Sequence, residues 1–466
     1  MRTTLSLLAV LLLGTPARAQ DPTLRADAAK ALKAAATFFR EKAAVRGGYV
    51  YYVTPDLARR WGEGKASPTT VFVQPPGTPA VGEAFLAAHA ATGEGYYLDA
   101  AKAAAECLAA GQLQSGGWTQ TIEFGPAQRV GKYRLGGGGN WNASSLDDDQ
   151  TQAALRFLAR ADRALGFKNP VVADAAKYGY AALLKTQFPN GGFPQVFTGP
   201  SPDTPVLKAK YPDFDYRTEG KVKEYWTHYT LNDGLPGTVA DALVVAHEVY
   251  GEPKYKAALA KLGDFLILAQ MPDPQPGWCQ QYDREMRPVW ARKFEPPAVS
   301  GWESQDALET LIRISRVTGE AKYREPVPKG FAYLRKSLLP DGRLARFYEL
   351  KTNRPLYMDA TYQLTFDGSA APAHYGWTQP SRQDAIERQL DEAVRNVPPR
   401  PRARPAEADV RRVIAALDTE GRWVSLYAGE RLVGQPPFAT GFRYVSSEVF
   451  CRNVALLSDY LRPELK

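Results

Sequence analysis

The sequence predicts a mainly α fold of repeated αα-hairpins, stacked or closed into a toroid or partial toroid, with short β-strands in the loops. Three observations carry this. Hydrophobic residues recur at helical spacing in paired segments along the chain. A glycine break divides each pair, at Thr92-Gly93, Leu165-Gly166, Tyr250-Gly251 and Thr318-Gly319. A Gly-containing turn with an aromatic and a Gln or Arg then follows: Gly116-Gly117-Trp118-Thr119-Gln120, Gly191-Gly192-Phe193-Pro194-Gln195, Gly277-Trp278-Cys279-Gln280-Gln281-Tyr282, and a degenerate Gly342-Arg343-Leu344-Ala345-Arg346-Phe347-Tyr348. The anchors lie roughly 65–85 residues apart, the length of two helices and their loops, and such self-similarity marks a repeat architecture. Glycine permits the positive φ that ends a helix and reverses the chain.

In chain order, periodicity predicts a first helix over 27–45, ended by Gly47, and a short strand from Tyr49 to Val53. After the rigid Gln74-Pro75-Pro76-Gly77-Thr78-Pro79 turn, helices are expected over 80–91 and 96–111. The second unit has helices over 149–165 and 172–186, the third over 236–250 and 253–270, and the fourth over 301–318 and 322–338. Gln112, Gln187 and Gln270 occupy equivalent ends. Two connections, 125–145 and 199–230, are longer than a helical hairpin needs and are candidates for function. The Gly136–Gly139 run has no Lys-Ser/Thr after it, so it is no phosphate loop. Residues 20–395 form the predicted main domain. Residues 396–406, rich in Pro and Arg, are a connector, and 407–466 hold helices near 407–417 and 446–461 that pack back on the main body.

Composition narrows the class. Arg2, the apolar run Leu5–Leu13 and Ala17-Arg18-Ala19 before Gln20 have the form of a secretory signal over 1–19, with cleavage near Ala19/Gln20. Its apolar run is too short to span a bilayer. A secreted or periplasmic protein with no membrane or nucleic-acid partner follows, and a monomer is expected. The formal charge of +8 falls to about +6 once Arg2 and Arg18 are removed, which suits an acidic substrate as well as plain solubility. The 24 Tyr and 9 Trp suit either a groove that stacks flat ligands or a large helical core. Cys107, Cys279 and Cys451 show no metal-binding spacing, and either one bridge or buried thiols would fit.

Two acidic clusters stand out. Asp147-Asp148-Asp149 opens the second unit and Thr230-Leu231-Asn232-Asp233 the third. Acids at a helix start are expected as caps and dipole partners, but clustered carboxylates also suit a hard cation. Equivalent repeat positions should bring these two acidic helix starts close together. Among the four His, His89 and His247 lie in helical runs and His228 and His374 in loops, with no HxxxH or HExxH pair and no Gly-x-Ser-x-Gly elbow in the chain. Arg284, Arg287 and Arg292 crowd with Gln280, Gln281 and Glu295 in one connection, and Arg346 and Arg354 follow. Planar guanidinium forks among aromatics suit a polymer of sugar acids.

These stretches together resemble pectate lyases of polysaccharide lyase family 10. The resemblance is carried by Gln74–Pro79, Gln114–Trp118, Asp147–Thr151, Pro189–Gln195, Tyr229–Asp233, Trp278–Asp283, Phe294–Ala298, Arg346–Glu349 and Thr352–Pro355, in the family's order over about 70–380. It implies a helical partial toroid with a central cleft and Ca²⁺-assisted β-elimination of polygalacturonate. By position it implies Asp148 and Asp233 as metal ligands. Arg292 and Arg346 would bind or neutralise uronate carboxylates, and Arg354 or another nearby Arg would substitute as the base. Trp118, Gln195, Trp278, Gln281, Tyr282, Arg292, Arg346 and Tyr348 would bind substrate. The chain departs from the pattern where Ala360 stands at the place expected for the base arginine. Two alternatives to an active lyase are therefore kept: a catalytically impaired uronate binder, and a glycoside hydrolase on a helical toroid.

Overall fold

The computed structural model describes residues 21–125, 130–373, 375–400 and 402–463; the predicted signal segment and His374 lie outside these residues. Twelve α-helices are present among the described residues: α1 (Pro22–Phe38), α2 (Thr78–Thr92), α3 (Gly95–Ala110), α4 (Gln150–Ala164), α5 (Pro170–Thr186), α6 (Leu235–Tyr250), α7 (Pro253–Ala269), α8 (Gly301–Thr318), α9 (Val327–Lys336), α10 (Gln383–Val394), α11 (Glu407–Ala415) and α12 (Ser447–Leu461). The predicted pairs are all found. Helix α10 is an addition, and the helix expected over 322–338 is split into a 3₁₀ turn at Ala321–Arg324 and α9.

The helices form two rows. In the inner row α12, α2, α4, α6, α8 and α10 pack side by side, in that order. The outer helices α3, α5, α7 and α9 each pack on the inner helix that precedes them in the chain. This is the α/α toroid that the repeat predicted. Between partners the chain reverses at Gly93, Gly166, Gly251 and Gly319, all at φ between 65° and 80°, a backbone state glycine adopts at little cost.

Each hairpin is also framed by a short antiparallel strand pair. The strand entering α2 (70–72) pairs with the one following α3 (121–123), and 144–145 pairs with 196–197, 229–230 with 281–282, and 299–300 with 347–348. The same pattern closes the molecule through its two ends. The strand entering α12 (443–446) pairs with Tyr52–Val53, which follows α1 and the Gly47-Gly48 turn. Helix α12 packs on both α1 and α2, so the C-terminal helix is one member of the inner row.

The Gly-aromatic turns are framework, not groove. The indole N–H groups of Trp118 and Trp278 donate to the carbonyls of Leu108 and Leu266, each at 2.8 Å, near the ends of the preceding outer helices. The Tyr282 and Tyr348 hydroxyls donate to Ala269 and Ser337 carbonyls and accept the Cys279 and Ala345 N–H groups. All four aromatic side chains are fully buried. Gln112, Gln187 and Gln270 use one amide each to bond their own turn and the next unit: to Gly116 and Ala175, to Gly191 and Ala258, and to Pro276 and Pro326. The expectation that Trp118, Trp278, Tyr282 and Tyr348 touch substrate is therefore corrected: burial commits them to the fold. A close approach explains one glycine of these turns, because a Cβ on Gly191 would lie 1.8 Å from the Lys261 carbonyl oxygen. The three cysteines are free thiols, with Cys107 and Cys279 buried.

Candidate active site

The inner helices α4, α6 and α8 are neighbours, and the segments entering them meet at one end of the toroid. Helix α8 starts conventionally: the Ser300 hydroxyl accepts from the N–H groups of Trp302 and Glu303. Helices α4 and α6 do not. Each is preceded by a 3₁₀ turn, Asp147–Asp149 or Asn232–Gly234, in which Asp148 (φ 45°) and Asp233 (φ 51°) are left-handed, and no side chain caps either helix. A left-handed non-glycine residue costs about 1–3 kcal/mol and persists only where its surroundings impose it. The capping role open to Asp147–Asp149 is thus not the one the structure realises. Asp149 instead forms a two-point pair with Arg156, seven residues on and about two turns into α4.

The consequence is a carboxylate cluster. Asp147, Asp148 and Asp233 each place an oxygen within 4.8 Å of the others. One Asp147 oxygen is buried and has no hydrogen-bond partner among the described residues. The site pushes Asp147 and Asp148 toward protonation. Asp147 is raised to about 6, first by burial and then by the Asp233 charge. Asp148 is exposed, yet partial desolvation and the charges of Asp147, Asp233 and Glu63 raise it to about 7. Gln195 supports Asp147 with its side chain and accepts the Leu146 N–H at 2.7 Å through its carbonyl. Gln74 donates to Asp148 at 3.3 Å and to Glu63 at 2.8 Å, tying the entry of α2 to that of α4.

Two arginines flank the cluster. The nearly buried Arg346 directs Nη2 to Asn232 Oδ1 at 3.3 Å, Asp233 Oδ1 at 3.4 Å and Glu303 Oε1 at 3.2 Å, and its Nε has no partner. Arg292 donates through Nε at 2.8 Å and Nη2 at 2.5 Å to Glu295, which also accepts from Tyr375 at 3.1 Å and Gln280 at 3.3 Å. Side-chain exposure is 44% for Arg292 and 1% for Glu295, so a buried carboxylate backs a guanidinium that is half open to the cleft. The partner carboxylates push both arginines above their already high values, against the effect of desolvation. Neither is poised to lose a proton. Glu303, fully buried, is raised to about 7 by desolvation, which Arg346 partly offsets.

Of the residues singled out in sequence, Asp148, Asp233, Arg292, Arg346 and Gln195 are brought together. Gln281 is not available, because it donates inward to the Tyr225 carbonyl and the Thr230 hydroxyl. Arg354 stands apart: its guanidinium lies 3.4 Å from the Phe366 ring centroid, on a hairpin with no described contact to the cluster. Sequence reasoning missed Asp147 as an individual ligand candidate, the buried Glu303, and Tyr375. Glu303 sits inside the first turn of α8, where an acid looks like a dipole partner.

The cleft therefore offers three acidic oxygens for a hard cation, two fixed guanidiniums for anions, and three helix N-termini whose dipoles favour negative charge. A family model described as pectic acid lyase matches residues 131–316. No curated protein matches the chain. Among solved structures, a mutant of the family 10 polysaccharide lyase from Cellvibrio cellulosa in complex with trigalacturonic acid is similar at 20% identity, covering 66% of this chain and 95% of that one, with a TM-score of 0.46. A D-mannose isomerase is similar at 13% identity over 95% and 97% of the two chains, with a TM-score of 0.48. A cellobiose 2-epimerase from Spirochaeta thermophila is similar at 16% over 94% and 97%, with a TM-score of 0.46. Residues 131–316, which hold both acidic helix entries and Arg292, thus carry the pattern of the pectic acid lyases, and the resemblance to polysaccharide lyase family 10 read from the sequence is borne out.

Proposed function

We propose that the protein is a secreted, Ca²⁺-dependent pectate lyase that cleaves polygalacturonate by β-elimination. The observation that carries the reading is the convergence of Asp147, Asp148 and Asp233 within 4.8 Å, with a buried unpartnered oxygen, beside Arg292 and Arg346. Three like charges at this spacing repel one another, and a divalent cation relieves that repulsion, so the donor set fits Ca²⁺. Such an ion supplies Lewis-acid stabilisation of a uronate carboxylate.

The chain's own groups account for binding and charge. The C5 proton of a galacturonate residue is α to a carboxylate, and its removal places negative charge on that carboxylate before the C4–O bond breaks. Arg292 and Arg346, both held protonated, are suited to receive uronate carboxylates and the charge that develops there. The N-termini of α4, α6 and α8 add positive potential on the same side. The same two ion pairs disfavour these arginines as bases. With Ala360 at the expected base position, this favours one second reading, a uronate binder without turnover on the same scaffold.

One assay separates the two. Polygalacturonate with Ca²⁺ should give ultraviolet-absorbing unsaturated ends, and a chelator should stop it. No rise in absorbance from neutral to alkaline pH, with oligogalacturonate still bound, would replace the lyase by the binder.

A further inference from the structure

Trp302 is the second residue of α8, and its surroundings set it apart from the other tryptophans. Trp118, Trp278, Trp290, Trp377 and Trp423 each donate the indole N–H to a backbone carbonyl inside the protein. Trp302 is 36% exposed, and its indole N–H has no acceptor among the described residues. Two guanidiniums lie near its ring, with the Arg346 carbon 5.7 Å and the Arg382 carbon 5.4 Å from the centroid. Both cations are held from behind by acids. Arg382 pairs with Asp306 at 2.5 Å and Glu309 at 3.0 Å, and its N–H is fixed to Gln305 Oε1 at 2.5 Å. Arg346 also touches Asp233, so the Trp302 ring stands beside the carboxylate cluster. Trp141 and Trp226 are exposed as well, but among the described residues neither ring has a cation against it.

We propose that Trp302 and Arg382 form a sugar subsite next to the carboxylate cluster, taking one uronic acid residue of an acidic polysaccharide. This rests on the uronate-polymer reading above. The C–H groups of a pyranose ring carry a small positive charge that suits the negative face of an indole. The indole N–H meets a ring hydroxyl, and Arg382, one-third exposed, meets the carboxylate. The subsite extends substrate contact from α6 toward α10 along the inner row.

Calorimetric titration of trigalacturonate in the presence of Ca²⁺ tests the assignment. Trp302→Ala should weaken binding about tenfold or more and Trp302→Phe, which keeps a flat face and loses the N–H, by less. Ca²⁺ binding measured without sugar should stay as in the wild type, and thermal melting reports whether each variant folds. Trp302→Phe and Arg382→Gln serve if Trp302→Ala does not fold. Variants that bind within twofold of wild type, or a wild type that binds no trigalacturonate, overturn the subsite. A wild type that binds the sugar and forms no unsaturated product ends the lyase reading alone. A wild type that forms product, with the variants binding unchanged, ends the subsite alone.

Discussion

Four of the helix entries into the inner row fall into two kinds. Helices α8 and α12 start with Ser300 and Ser446, whose hydroxyls accept from two N–H groups each, as stable helix starts do. Helices α4 and α6 start through a left-handed aspartate, with no cap and with mutually repelling carboxylates. The four occupy equivalent places, each after a strand that pairs across its own unit. The difference shows that one repeat position can serve stability or chemistry. Where no side chain caps the helix, the carboxyl is instead one of a cluster of three.

The largest expected effect comes from breaking the second kind of entry. Asp148→Asn or Asp233→Asn should weaken Ca²⁺ binding by more than about 100-fold in calorimetry, since loss of even an outer-shell partner costs 10–100-fold. Formation of unsaturated product should fall with it.

A pH series sharpens the same contrast. The Asp147 and Asp148 pKa values are raised in the fold, to about 6 and about 7. Stability from their protonated forms is therefore full below the usual carboxylate range and is lost as pH rises through 6 to 7. In chelator, the melting temperature of the wild type should fall relative to that of Asp148→Asn between pH 4 and pH 8. Added Ca²⁺ should recover it most at the high end. Equal melting profiles for the two proteins would remove the repulsion argument.

The first kind of entry predicts a smaller, purely structural effect. Ser446→Ala should cost about 1 kcal/mol in denaturant unfolding with Ca²⁺ affinity unchanged. Ser300→Ala should cost a similar amount and also loosen Glu303, which accepts the Ser300 hydroxyl and braces Arg346. The smallest effect is expected at Arg354, whose guanidinium rests on Phe366: Arg354→Ala should leave product formation within about twofold. A large loss there would return Arg354 to the reaction and displace the present assignment of the cleft.

The hairpin array was legible because helical periodicity and glycine stops are local signals. Helix α10 was not, since of its apolar residues only Ile386 and Ala393 are fully buried and no glycine-aromatic turn marks it. Repeat equivalence placed the two acidic helix starts together, and the structure shows that Asp147 and Asp148 of one meet Asp233 of the other, across turns that are left-handed at Asp148 and Asp233. The aromatic turns misled for a related reason. Trp118 and Tyr348 have the composition of a groove, but which way a side chain points after a tight turn depends on the helix it packs against.

By itself the sequence determined the repeat, the helix pairs, the reversal points and the two acidic entries. Each follows from spacing along the chain, which backbone geometry converts directly into structure. Only the tertiary structure decided which polar groups share the cleft. Arg346 and Glu303, 43 residues apart, and Arg346 and Asp233, 113 apart, meet because α6 and α8 lie side by side in the inner row. Arg354, eight residues from Arg346, is carried away by a strand hairpin. Proximity in a toroid is set by how helices pack, and the distance between two residues along the chain does not report it.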